Sequence, residues 1–255
     1  MMVISGIRIY QLSQEYSEGI AEYEELEQYV SVTDDTRIED VAEKQEDKAE
    51  DTEETEEQKK FSLQINVDYN ALKAMNEDYL GWIYYEPLDI SYPLVSGDDN
   101  TYYTTHTFED KENSFGSIFL DFLNKPDFSD YNTIIYGHNM RNGTMFGSLK
   151  QGLNDMTIFD ENPYFYIFVD EKIKRYQIFA CYITNENLDT YTIVRDEEGQ
   201  QSYLDYIKSV SEYETDVTVT TQDRVVSLST CHGLHSVNRT VVQGVYLDEQ
   251  ESTDW

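Results

Sequence analysis

Short β-rich runs separated by turn residues fill most of the chain beyond residue 81, and they constrain its fold more than any other feature. Eight runs share an enrichment in β-branched and aromatic residues: Trp82–Tyr85, Ile90–Val95, Ser117–Phe122, Thr133–Tyr136, Tyr164–Val169, Lys172–Thr184, Val225–Thr230 and Thr240–Leu247. Strands of this number and spacing predict a barrel or a sandwich. We therefore expect a mainly β protein with accessory helices.

Helical patterns occur in three places around these strands. Apolar residues recur every three or four positions in each of them: Ile20, Tyr23, Leu26 and Val30; then Leu72, Met75 and Tyr79; then Leu204, Ile207 and Val210. The first pattern predicts an amphipathic helix within residues 1–32. The second predicts a helix that follows Asp68 as its N-cap and ends near Gly81. The third places one helix between the sixth and seventh strands.

An acidic stretch separates the first helix from the rest. Residues 33–60 are almost wholly Asp, Glu, Lys, Thr and Gln, so they bury too little apolar surface to offset chain entropy and are predicted to be a disordered linker. This leaves residues 61–255 as the main domain. The whole chain has 51 Asp and Glu against 18 Lys and Arg, a net charge of −33, which opposes binding to nucleic acid phosphates.

Cysteine usage and glycine patterns exclude several classes of site. Cys181 and Cys231 are the two cysteines, and neither belongs to a CxxC pair or to a disulfide framework. Cys231 and His235 lie four residues apart, but no matching ligand pair stands nearby in sequence, so no metal is expected. The sequence has no glycine-rich phosphate loop and no GxGxxG, which gives nucleotide chemistry no support. We expect no cofactor.

Three residues next to predicted strands carry chemistry. Cys231 ends the strand that begins at Val225, His138 follows the strand that ends at Tyr136, and Arg239 comes eight residues after Cys231 at the start of the last strand. A free cysteine is more often a small buried hydrophobe than a nucleophile, and an isolated arginine is more often a surface residue. Each of the three therefore needs the others to make a site.

Together the three residue types suit acyl transfer. A thiol with a reference pKa of about 8.5 is only a few per cent thiolate at neutral pH, so a nearby imidazole that accepts its proton activates it. The resulting imidazolium protonates a leaving amine. A guanidinium group is always charged and holds a carbonyl oxygen or a developing oxyanion.

These segments resemble the class B sortases. Ser227–Cys231 followed by Arg239 is similar to the sortase cysteine signature, and Ile134–Met140 with Gly143–Leu149 is similar to the class B histidine segment. Gly81–Ile83, Ile90–Val95 and Gly116–Asp121 extend the resemblance, which covers roughly residues 63–247. It implies a closed eight-stranded sortase-type β-barrel, with residues 61–255 as the catalytic domain.

The resemblance also implies an activity and the residues that perform it. Sortases cleave a C-terminal sorting motif of the Pro-x-Thr-Gly or Pro-x-Thr-Asn kind after Thr and transfer the acyl group to a cell-wall amine. In this chain Cys231 would be the nucleophile, His138 the proton carrier and Arg239 the clamp on the threonine carbonyl. Ser229 and Asn100 would contact the substrate.

The implied partners are surface proteins that bear a sorting signal and the amine of a peptidoglycan precursor, with a monomeric enzyme acting outside the cytoplasm. Class B sortases are usually anchored by an N-terminal membrane helix, so the resemblance implies a membrane-anchored protein whose anchor is absent from the printed sequence. Two alternatives stay open: a cysteine hydrolase with the same three residues, and a surface binding module in which Cys231 is buried and inert.

Overall fold

The computed structural model describes residues 2–34, 61–186, 188–233 and 236–252. Its centre is a closed barrel of eight strands, in the order β10-β8-β7-β3-β4-β5-β6-β9. The barrel strands are β3 (Tyr79–Tyr85), β4 (Ile90–Val95), β5 (Ile118–Leu120), β6 (Asn132–Tyr136), β7 (Tyr164–Val169), β8 (Lys172–Asn185), β9 (Val225–Cys231) and β10 (Asn238–Glu251). The predicted mainly β fold is thereby confirmed, as a barrel and not a sandwich.

Closure satisfies the backbone of every barrel strand, because no strand is left with an unpaired edge. Two of the pairings are parallel, β4 with β5 and β6 with β9, while the others are antiparallel. The hydrophobic core around these strands contains fully buried aromatic side chains such as Trp82, Phe165 and Phe168. Because β6 and β9 run parallel, the segments that follow these two strands leave the barrel at the same rim.

One helix, α5 (Glu197–Val210), lies between β8 and β9, which confirms the third helical prediction. The Asp196 carboxylate caps it by accepting a hydrogen bond from the Gly199 amide at 2.8 Å. Its buried residues Leu204 and Ile207 pack into a second apolar cluster on the outside of β8, β9 and β10. Two further short helices, α3 (Leu149–Asn154) and α4 (Thr157–Glu161), had no counterpart in the sequence patterns.

The other helical predictions hold only in part. Helix α1 spans Met2–Leu26, and Val30 already belongs to a strand, β1 (Val30–Asp34), that pairs with β2 (Leu63–Val67). The helix predicted within residues 1–32 is present, but the apolar pattern that continued it to Val30 is wrong at its end, because the β-branched Val30 pairs with Val67 instead of extending the helix. Residues 35–60, nearly all of the predicted linker, lie outside the described residues. The division into helix, linker and catalytic domain stays a prediction.

Helix α2 (Tyr69–Met75) begins as predicted, with the Asp68 carboxylate accepting from the Ala71 amide at 3.0 Å. It ends earlier than expected, because Tyr79 and Gly81 belong to strand β3. Tyr79 is buried and stays in the apolar core, so tertiary packing, and not helical spacing, explains its apolar character. Among the described residues, no helix combines the length and the hydropathy that a membrane span requires.

Candidate active site

The strand register brings Cys231, His138 and Arg239 to one rim of the barrel. Tyr136 pairs with Ser229 in the parallel β6–β9 ladder, and the next amide, Gly137, donates to the Ser229 carbonyl at 3.1 Å. His138 lies two residues after Tyr136, and Cys231 lies two residues after Ser229. On the other side of β9, Arg239 is the direct antiparallel partner of Cys231. Directly paired residues project from the same face of a sheet, so the thiol and the guanidinium stem are neighbours.

A cavity of about 300 Å³ opens at this rim. Its walls include all five residues that the sequence and its resemblance single out: Asn100, His138, Ser229, Cys231 and Arg239. Further lining residues are Thr104, Phe119, Tyr136, Gly137, Glu186, Tyr191 and Thr230. The volume suits a short stretch of extended peptide.

Cys231 and Cys181 lie in opposite environments. Cys231 is partly exposed at the end of β9, whereas Cys181 is fully buried in β8. Burial raises the pKa of the Cys181 thiol to about 12, with the nearby Glu212 carboxylate adding to the rise. Cys181 is therefore a protonated core residue at neutral pH, and Cys231 is the accessible thiol of the described chain.

The His138 ring is held by backbone groups. Its Nε2 lies 2.7 Å from the Thr104 carbonyl oxygen, which can only accept, so Nε2 carries the hydrogen in this arrangement. Gly116, with φ +59°, lies beneath the ring: a Cβ added there would sit 2.7 Å from His138 Cδ2. The next residue, Asn139, donates from Nδ2 to the Cys231 carbonyl at 2.7 Å and so ties the two segments together.

Arg239 is fixed by oxygen acceptors on two sides. Its Nη1 donates to the Ser236 carbonyl at 2.8 Å and to the Asn238 carbonyl at 3.3 Å, and its Nη2 forms an ion pair with Glu186. Glu186 follows the last residue of β8 and also lines the cavity. The guanidinium plane is thus oriented without a partner from the substrate.

Two adjacent hydrogen-bonded networks line the cavity. Asp121 is buried and accepts from Asn100 Nδ2 at 2.9 Å and from the Tyr136 hydroxyl at 2.8 Å. Burial, strengthened by Asp121, raises the pKa of Tyr136. The Tyr191 ring stacks on Tyr136 with centroids 6.2 Å apart, its hydroxyl is 2.8 Å from Ser229 Oγ, and burial raises the pKa of Tyr191 to about 12. Both tyrosines remain neutral hydroxyl groups at neutral pH.

Two of the other histidines, His106 and His232, have contacts of their own. His106 stacks on Tyr102 with ring centroids 4.0 Å apart. The Nδ1 atom of His232 lies 3.0 Å from Thr240 Oγ1. His235 lies outside the described residues.

Sequence reasoning missed three residues that line the cavity, Thr104, Glu186 and Tyr191. It also missed Asn139, whose side chain donates to the Cys231 carbonyl. Three of these four residues stand in segments without strand or helix periodicity, and Glu186 comes just past the end of a strand. No local pattern distinguishes such residues from ordinary loop residues. Only Asn139 carried a signal, since it follows the candidate histidine directly.

Comparison with known proteins gives a consistent family. Residues 83–246 match the sortase domain family. Sortase B of Listeria monocytogenes is 33% identical over 186 residues, which cover 71% of this chain and 74% of that protein. The crystal structure of Bacillus anthracis sortase B in complex with AAEK1 superposes with a TM-score of 0.72 at 26% identity, covering 92% of this chain and 99% of that one.

A third relative is a Staphylococcus aureus sortase B–substrate complex, with a TM-score of 0.66 at 30% identity over 71% of this chain and 84% of that one. The matched region contains the whole rim that carries the thiol, imidazole and guanidinium groups. On fold, sequence and comparison alike, the chain belongs to the sortase family, the cysteine transpeptidases of the cell surface, and its relatives are of the sortase B type.

Proposed function

We propose that Cys231, His138 and Arg239 together perform sortase B-type transpeptidation on a C-terminal sorting motif of the Pro-x-Thr-Gly or Pro-x-Thr-Asn kind. The observation that supports this most directly is their common position around one cavity, with Cys231 and Arg239 in register on paired strands. No ordinary packing requirement brings a free thiol, an imidazole and a guanidinium group to the same opening.

In the first half-reaction the Cys231 thiolate attacks the carbonyl carbon of the motif's threonine. The C–N bond that follows threonine breaks, and the His138 imidazolium gives its proton to the departing amine. The product is a thioester between Cys231 and the threonine carbonyl. Arg239 donates to the carbonyl oxygen while it carries negative charge, which is the point at which a fixed donor contributes most.

In the second half-reaction the acyl group is transferred to an amine and not to water. The amine attacks the thioester carbonyl, neutral His138 takes up the amine proton, and the C–S bond breaks to regenerate the Cys231 thiolate and the imidazolium. Protons and charges balance over the two halves, so the reaction needs no cofactor. The acceptor we infer is an amine of a peptidoglycan precursor.

Residues that line the cavity supply the substrate contacts in this proposal. The Asn100 side-chain amide lines the cavity, and its Nδ2 donates one hydrogen bond to the Asp121 carboxylate. Ser229 is only 1% exposed and its hydroxyl is engaged with Tyr191, so we assign it a contact through the tyrosine side chain that it orients. Phe119 and Tyr136 add aromatic surface to the lining of the cavity.

Family membership also supports the cellular setting. Sortases act at the cell surface, so we infer that the substrates are surface proteins bearing sorting signals. We further infer that an N-terminal anchor holds the enzyme at the membrane and that it acts as a monomer. Fractionation of cells expressing the gene tests the anchor: recovery in the membrane fraction supports it, and recovery in the culture fluid contradicts it.

Mass spectrometry of the intact protein with a library of sorting peptides tests the chemistry. A thioacyl adduct on wild-type protein that is absent from Cys231→Ala and present on Cys181→Ala supports the proposal. Adding an amine such as triglycine distinguishes the alternatives: a ligated product identifies a transferase, and exclusive release of free acid at every amine concentration identifies a hydrolase. If no peptide forms an adduct and the Cys231→Ala substitution leaves every measured activity unchanged, a binding module is favoured.

A further inference from the structure

The His138 imidazole takes its position from two backbone points, both in the segment 101–117. The Thr104 carbonyl accepts from Nε2, and Gly116 lies directly beneath the ring. This segment joins β4 to β5 and contributes only the isolated bridge between His106 and Glu112 and the single turn Tyr102–Thr104. Although its end runs directly into β5, the middle of the segment takes no part in the barrel ladder.

Glu22 of helix α1 holds the middle of that segment. Its carboxylate is buried, and it accepts from the Glu109 amide at Oε1 and from the Thr107 hydroxyl at Oε2, both at 2.9 Å. Lys111 lies 3.4 Å from Oε2 and partly balances the charge. A buried carboxylate is retained only where donors satisfy it, so this contact fixes the segment against the helix.

Tyr23 and Glu15 hold the end of the segment. The Tyr23 hydroxyl donates to the Gly116 carbonyl at 2.7 Å, and its ring stacks on Phe115 with centroids 5.6 Å apart. Burial raises the pKa of Tyr23, so its hydroxyl stays protonated and remains a donor. The Glu15 carboxylate accepts from the Ser114 amide at 2.9 Å. Helix α1 thus contacts the residue directly beneath the histidine ring.

We propose that Glu22 and Tyr23 of α1 are positioning residues for His138, acting through the Thr104 carbonyl and Gly116. The N-terminal helix is then part of the catalytic apparatus and not only a packing element. Its effect on turnover rests on the proposed role of His138 as proton carrier. Its effect on the ring itself does not depend on the substrate.

The positioning decides which ring nitrogen faces the reaction. With Nε2–H donated to Thr104, Nδ1 is the nitrogen free to exchange a proton in the cavity. If the segment loses its attachment to α1, the Nε2 hydrogen bond loosens, and both the tautomer and the ring orientation become mixed. Turnover then falls while the peptide-binding walls keep their shape.

Glu22→Gln and Tyr23→Phe in the full chain test the proposal, because each removes one contact and little volume. Glu25→Gln is the charge-matched control, since Glu25 is exposed on the same helix. Tyr85→Phe is the matched control for the tyrosine: its buried hydroxyl donates to the Asn162 carbonyl at 2.8 Å, away from the cavity. Thermal unfolding of all four variants corrects activities for the folded fraction.

Two measurements are compared: kcat and KM for cleavage of a sorting peptide, and long-range ¹H–¹⁵N NMR spectra of the histidine rings, with His138 assigned from His138→Ala. For Glu22→Gln and Tyr23→Phe we expect kcat to fall about three- to tenfold with KM within twofold, the effect of one hydrogen bond on the barrier. The His138 signals should shift from the Nε2–H form towards a mixture.

Both controls should keep the wild-type values in each measurement. If Glu22→Gln and Tyr23→Phe keep the kcat and the His138 spectrum of the wild type, whatever stability they lose, α1 only stabilises the fold and the proposal is overturned. Should wild-type protein cleave no sorting peptide, the proposed function fails, yet the spectra still decide the positioning role.

Discussion

Gly116 offers a direct test of the geometry around His138. Its φ of +59° is in the left-handed region, which costs a residue with a Cβ about 1–2 kcal/mol. An added Cβ would also lie 2.7 Å from His138 Cδ2 and 2.7 Å from the Tyr103 carbonyl oxygen, whereas ordinary contact begins at 3.4 Å. In Gly116→Ala the ring must therefore move by about 0.7 Å, since it is the more movable neighbour.

Gly143 provides a control for the backbone strain alone. It lies in the loop after His138 with φ +86°, and the nearest atom to an added Cβ is Gln151 Nε2 at 3.7 Å. Gly143→Ala and Gly116→Ala should each lower Tm by about 2–8 °C from their positive φ. Only Gly116→Ala should disturb the imidazole, and a displacement near 1 Å costs about 100-fold in rate.

The assay is steady-state cleavage of a sorting peptide, with rates normalised to the folded fraction from thermal unfolding. We expect kcat/KM to fall about 100-fold in Gly116→Ala and to stay within about threefold of wild type in Gly143→Ala. Equal losses in the two variants, or full activity in Gly116→Ala, would refute the idea that this glycine sets the position of the histidine ring.

Three further predictions follow from other parts of the structure. Arg239→Lys keeps the charge but loses the planar pair of donors, so kcat/KM should fall about 100-fold with little change in Tm; a Lys variant as active as wild type would exclude the clamp. Iodoacetamide at pH 8 should label Cys231 and leave Cys181 unmodified, since burial raises the pKa of Cys181 to about 12, and peptide mapping would expose any labelling of Cys181. Although burial opposes it, hydrogen bonds from Lys172 and Lys174 lower the pKa of Glu249 from 4.5 to about 2, so its stabilising effect is complete above pH 4.5 and is lost as the pH falls towards 2. Glu249→Gln should accordingly lower Tm at pH 7 by a few degrees at most, because the pair is partly exposed, and leave Tm unchanged near pH 2; an equal change at both pH values would contradict this origin.

The strands and the positions of the three candidate site residues at strand ends could be predicted because their signals are local. All eight runs align with barrel strands to within a few residues at each end; Ser117–Phe122, for example, corresponds to the shorter strand Ile118–Leu120. The end of β9 at Cys231 and the start of β10 beside Arg239 follow from the same alternation of apolar and turn residues. Asp68 marks the start of α2 because capping depends on residues only three apart.

Elements that depend on pairing partners could not be predicted in this way. Val30 continues the apolar spacing of α1 and Tyr79 that of α2, yet both are strand residues, because ladder partners distant in sequence outweigh a weak helical preference. The β1–β2 hairpin was missed for the same reason. Its strands are separated by residues 35–62, so no short turn signal connects them.

By itself, the sequence determined that this is a β-rich chain in which Cys231, His138 and Arg239 stand next to strand ends. It could do so because periodicity and motif spacing involve residues that are near one another in the chain. The tertiary structure alone decided that parallel pairing of β6 with β9 sets His138 level with Cys231, that Glu186 orients Arg239, and that α1 reaches the segment under the histidine. Those relations join residues about 50 to more than 90 positions apart, and closing such distances depends on the whole barrel, not on any local preference.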